Sequence, residues 1–84
     1  MTNLSQERVA AGPMDREVLE QHLLQAEARV ASGDRRVAKQ RRLVARLERD
    51  GLGTSEARAL LTELEDSRKL HIADRDRLLR ELGK

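Results

Sequence analysis

The chain contains no aromatic residue, no cysteine and a single proline in 84 residues. Without Phe, Tyr or Trp it lacks the side chains that bury the most area apiece and the rings on which bases and sugars stack. Without cysteine it forms no disulfide, offers no thiolate nucleophile and has no cysteine-type metal site. Its apolar runs fall far short of the roughly 20 residues that cross a bilayer, so no membrane segment is expected. Met1 to Gln6 lack the basic and apolar blocks of a signal peptide, and a cytoplasmic location is therefore expected. Charge of one sign is also scarce, since the net charge is only +2 although 38% of residues are charged. What remains is rich in Ala, Leu, Arg and Glu, the composition of long amphipathic helices and coiled coils.

Those residues are ordered along the chain. Leu19, Leu23, Ala26, Val30, Gly33, Val37, Gln40, Val44 and Leu47 follow one another in alternating steps of four and three. The alternation restarts after a glycine break at Ala57, Leu61, Leu64, Arg68, His71, Arg75, Leu78 and Leu82. Such spacing keeps one seam of a helix turned toward a partner helix. Residues 1–12 carry no sustained period and read as a flexible N-terminal tail. Residues 13–84 read as a helical hairpin, with one helix over about 13–50, a turn over about 51–54 and a second helix over about 55–82. Pro13 suits a first helical turn, and Asp15 and Glu17 complement the positive end of the helix dipole. Arg46 and Arg49 fall in the last turn, Gly51 can take the left-handed position that ends a helix, and Leu52 follows it as in a Schellman cap. Thr54 or Ser55 is the expected N-cap of the second helix.

A loop this short makes the helices antiparallel neighbours. Folding the chain about Leu52 sets Leu47 beside Ala57, Val44 beside Leu61, Gln40 beside Leu64, Gly33 beside His71, Ala26 beside Leu78 and Leu23 beside Leu82. The flanks then match: Leu43 meets Leu60, Arg29 meets Asp74, His22 meets Glu81, Arg41 meets Glu65 and Glu48 meets Arg58. Exposed ion pairs are individually weak, so these select an alignment more than they hold it.

Two helices packed only on each other leave much of their apolar surface in water, which calls for a partner. Leu24, Ala31, Ala38 and Ala45 recur every seventh residue on the side of the hairpin that carries Ile72 and Leu79. Small alanines admit a second backbone closely, and the economical arrangement is a homodimer whose two hairpins form a four-helix bundle about a two-fold axis. The competing reading is that alanine serves helix propensity on a solvated face.

Two further features bear on function. Arg35, Lys39, Arg42, Arg46 and Arg49 form a basic line, extended sideways by Arg29 and Arg36, that could follow the phosphates of RNA or DNA by counterion release. Nearby Glu63, Glu65 and Asp66, and the lack of a base-reading element, favour an ordinary solvated face. In the seam, Gly33, Gln40, Arg68, His71 and Arg75 make a polar interruption. It could hold an anion or respond to pH through His71 with Asp34 and Asp74 nearby, or it could simply fix register. His22 and His71 have no second histidine at ligand spacing, the serines have no evident base, and no cofactor motif is present. A non-enzymatic, self-associating helical interaction or regulatory module is therefore the leading expectation, with another protein as a candidate partner, and a nucleic-acid-binding hairpin is the alternative.

The run from Gln40 to Gly51, followed by Ala57, Leu60-Leu61 and the segment His71 to Leu82 with its Asp74-Arg75-Asp76-Arg77-Leu78, resembles a group of small bacterial helical-hairpin proteins of unknown function. The similarity covers roughly residues 19–82, and it implies the hairpin but no activity. Members often carry histidine at the positions of Arg29 and Arg36, which implies that a histidine-based site would be depleted here. In architecture alone the chain is also similar to Rop-type dimeric hairpins that bind RNA, an analogy that gives no function by itself.

Overall fold

The computed structural model describes residues 15–84, so the expected tail over 1–12 and the helix start at Pro13 lie outside the described residues. Two helices, α1 (Arg16–Arg49) and α2 (Ser55–Glu81), make up the described chain, with no strand among its residues. Asp15 does not sit within the first turn, as the sequence pattern implies, but caps it. Its backbone is extended (φ −70°, ψ 164°), and its carboxylate accepts a hydrogen bond from the Val18 amide at 3.0 Å. That bond occupies an amide with no helical carbonyl to donate to.

Both helices end on a glycine in the left-handed region. At the end of α1, Gly51 has φ +70°, the Leu52 amide donates to the Leu47 carbonyl at 2.9 Å and the Gly51 amide to that of Glu48 at 3.1 Å. This is the Schellman arrangement expected from the sequence, and it turns the chain back on itself. The end of α2 repeats it, with Gly83 at φ +76° and the Lys84 amide donating to the Leu79 carbonyl at 2.9 Å. Thr54 is the N-cap of α2, but its hydroxyl caps no amide and accepts from Arg58 Nε at 3.0 Å instead.

The helices pack antiparallel along their seams. Leu23, Ala26, Val30, Val37, Gln40 and Val44 of α1 are buried, as are Leu78 of α2 and Leu82 just beyond it, while the other seam positions of α2 are half-buried. The inequality follows from side-chain length. Short Val and Ala on α1 are covered by the longer Leu, Arg and His opposite, whose outer ends reach solvent. Leu23, Ala26, Leu78 and Leu82 form a buried cluster at the open end of the hairpin, with Leu19 and Leu79 packed against it. Arg16 closes the same end by donating from Nη1 to the Leu82 carbonyl at 3.3 Å.

The register is one ladder step away from a fold about Leu52. A β-carbon on Gly33 would lie 3.5 Å from Cβ of Arg68, so this glycine faces Arg68 and not His71. The left-handed residue at the reversal is Gly51, and the pairing is accordingly centred on the Asp50–Gly51 step. Two flank pairs survive the shift because long side chains reach across it: Arg41 Nη2 lies 3.0 Å from Glu65 Oε2, and Arg58 pairs with Glu48. The pairs Arg29–Asp74 and His22–Glu81 do not form. Arg77 holds both carboxylates along α2 itself, at 2.6 Å to Asp74 and 3.0 Å to Glu81. Hydrogen bonding first to Asp74 and then to Glu81 raises the pKa of its guanidinium still further.

Candidate functional site

The basic line stands free on the outer face of α1. Arg35, Lys39, Arg42, Arg46 and Arg49 are all exposed, and none pairs with a carboxylate among the described residues. Glu65, expected to neutralise this region, is engaged by Arg41 on another face of the same helix. The resulting surface carries unshielded cations on successive turns, and Lys39, Arg42 and Arg46 line a hollow of about 340 Å³ together with Gln40 and Leu43.

The apolar line on the other side is less uniform than its spacing implies. Leu24 is 67% exposed, and Ala31 and Ala45 are exposed, whereas Ala38 and Ile72 are half-buried. Leu79 packs against the open-end cluster within its own chain and is not left uncovered. Leu70, which the heptad pattern does not single out, is 71% exposed.

The polar seam residues do not converge on one point. Gln40 is buried, and its side-chain amide donates to the Ala57 carbonyl at 2.9 Å, satisfying both groups where α2 begins. Arg68 turns toward Asp34, with Nε donating to Oδ1 at 2.6 Å. Arg75 binds its neighbour Asp76 through Nη2 at 2.9 Å and Nε at 3.1 Å. His71 is left with Ser67, whose Oγ lies 3.4 Å from Nε2 one turn away. The carboxylates expected beside His71, Asp34 and Asp74, are held by Arg68 and Arg77. Nothing therefore orients the ring as a general base toward Ser67. Among the described residues no three His, Asp or Glu side chains are grouped as a metal site requires.

Sequence reasoning missed what surrounds His71. A hollow of about 130 Å³ opens there on the flank of the hairpin. Arg29, Ser32, Gly33 and Arg36 contribute from α1. Leu64, Ser67, Arg68 and His71 close it from α2. The signal was present in the spacing, because positions 29, 33 and 36 lie on one face over two turns with a glycine between two arginines. Reading Arg29 and Arg36 only as extensions of the basic line concealed it. Nearer the loop, a wider cleft of about 630 Å³ is walled by the side chains of Leu43, Leu47, Ala57 and Leu60, so Leu43 and Leu60 do share a surface.

No family model matches the chain, and the comparisons find no similar curated protein or solved structure. Among the described residues no helix is long and apolar enough to cross a membrane.

Proposed function

We propose that this chain is a non-enzymatic, cytoplasmic interaction or regulatory module that works as a homodimer, two hairpins joined into a four-helix bundle. The observation that carries this reading is the thinness of the core. The hairpin is a single layer of helix, 14 Å in its smallest dimension, and on the proposed face Leu24 remains 67% exposed while few side chains of the hairpin are fully buried. A pair of helices of this length gains most of its stability from packing and not from helix propensity, and a second copy supplies the missing half of that packing. Leu24, Ala31, Ala38 and Ala45, with Ile72 beside them, are the face on which it sits; Leu79 borders that face from within the intrachain cluster. The test is Ala31→Glu combined with Ala38→Glu. Sedimentation at micromolar concentration is expected to show the double variant as a smaller and less helical species than the wild type, and an unchanged particle would remove this face from consideration.

The unpaired cations of α1 favour one second reading, a hairpin that binds RNA or DNA through phosphates. Lys39, Arg42 and Arg46 are exposed and pair with no carboxylate among the described residues, so changing all three to glutamine is expected to leave the fold intact, which circular dichroism checks. Under this second reading the wild type binds an oligonucleotide with an affinity that falls steeply with salt, and each lost contact lowers the log–log slope by roughly one. Retrieval of partners from lysate with and without nuclease separates the two readings, since protein partners of the module survive the treatment.

A further inference from the structure

The hollow around His71 has a composition that selects its ligand. Arg29 and Arg36 stand two turns apart on α1 at its rim, and neither pairs with a carboxylate among the described residues. Between them Gly33 carries no side chain, which leaves space at the floor. Ser32 on one wall and the Ser67–His71 pair on the other add two hydroxyls and an imidazole. No acidic residue lines the hollow, so a metal cation is repelled. Two guanidinium groups beside hydroxyl donors match a tetrahedral oxyanion, which arginine binds with paired, charge-assisted hydrogen bonds. A hollow of about 130 Å³, open to solvent on one side, has room for a phosphate group.

We infer that this hollow is a phosphate-binding site in which Arg29 and Arg36 bind the oxygens, with Ser32, Ser67 and His71 as supplementary donors. The site is independent of the proposed dimer face. Arg29 and Ala31 are two residues apart and therefore about 200° apart around the helix, so the hollow stays open when that face is covered. The phosphate can be free or the terminal group of a nucleotide, and the two sources are separable by titration.

The experiment is nuclear magnetic resonance of the isotope-labelled full chain titrated with inorganic phosphate, then with a nucleoside 5′-monophosphate. Saturable shifts confined to residues near 29–36 and 64–71 are expected. Saturation at lower concentration by the nucleotide assigns the site to nucleotides, and equal saturation assigns it to free phosphate. Combining Arg29→Gln with Arg36→Gln weakens binding about tenfold or more, since two charge-assisted contacts are lost. Ser67→Ala, which keeps every charge, weakens it about fivefold, and Arg49→Gln leaves it unchanged. Circular dichroism checks that helicity is retained, and Ser67→Ala alone decides the matter if the double variant unfolds. Shifts spread along every cation of α1 without saturation, or binding indifferent to these changes near the hollow, would overturn the site.

Discussion

The two ends of the hairpin solve the same packing problem differently. At the open end Leu23, Ala26, Leu78 and Leu82 close over one another, with Leu78 only 1% exposed. Toward the loop, Val37, Gln40 and Val44 are buried on α1, but Ala57, Leu61 and Leu64 opposite are half-buried and a cleft opens beside them. The middle, where Arg68 and His71 occupy seam positions, buries neither: Arg68 pairs across the interface with Asp34 of α1, and His71 lies beside Ser67 of its own helix. A regular 3-4 repeat thus guarantees a seam without guaranteeing equal burial along it. The chemistry of the α2 side chains sets the difference, because arginine and histidine at core positions keep their charged or polar ends in water.

That contrast is open to direct attack. Leu78→Ala is expected to cost about 2–5 kcal/mol of stability by leaving a cavity in the open-end cluster. Leu61→Ala should cost clearly less, since its side chain is already half in solvent. Urea unfolding followed by circular dichroism compares them, and equal losses would erase the distinction between the ends. The next effect in size belongs to the turn. Gly51→Ala meets no atom within 4 Å, but it must hold a β-carbon at φ +70°, so a loss of about 1–2 kcal/mol is expected from backbone conformation alone.

Gly33→Ala should act in the opposite direction. Gly33 is helical, and a β-carbon there makes ordinary contact with Arg68 at 3.5 Å, so the same unfolding measurement is expected to show a gain of about 0.5–1 kcal/mol. A loss at this position would mean that the middle of the seam is packed more tightly than its half-buried residues indicate. The smallest change is expected from the flanks. Arg41→Ala removes an exposed ion pair with Glu65 and should alter stability by less than about 1 kcal/mol, an effect that fades in high salt.

Much of this arrangement was legible in the residues. The alternating stripes gave both helices, and Gly51 with Leu52 gave the Schellman turn down to its hydrogen bonds. The register was misread by one step because the reversal was centred on Leu52. The ion pairs used to check it are poor discriminators, since Arg41 and Arg58 are long enough to find the same carboxylates in either alignment. The cap at Asp15 was hidden by the proline two residues earlier, which suits a first turn equally well. Local competition was the other hidden term. Arg77 holds Asp74 and Glu81, and Arg75 holds Asp76, all within α2. Intrahelical pairs at three and four residues form without loop closure or interhelical alignment, so a cross-helix reading of charges underestimates them.

Self-association remains the claim on which the functional reading turns, and sedimentation equilibrium of the unmodified chain across a wide concentration range tests it most directly. A particle of twice the 9.5 kDa chain mass, dissociating on dilution with loss of helicity, is the expected result. A 9.5 kDa species that stays monomeric and fully helical at every concentration would contradict it.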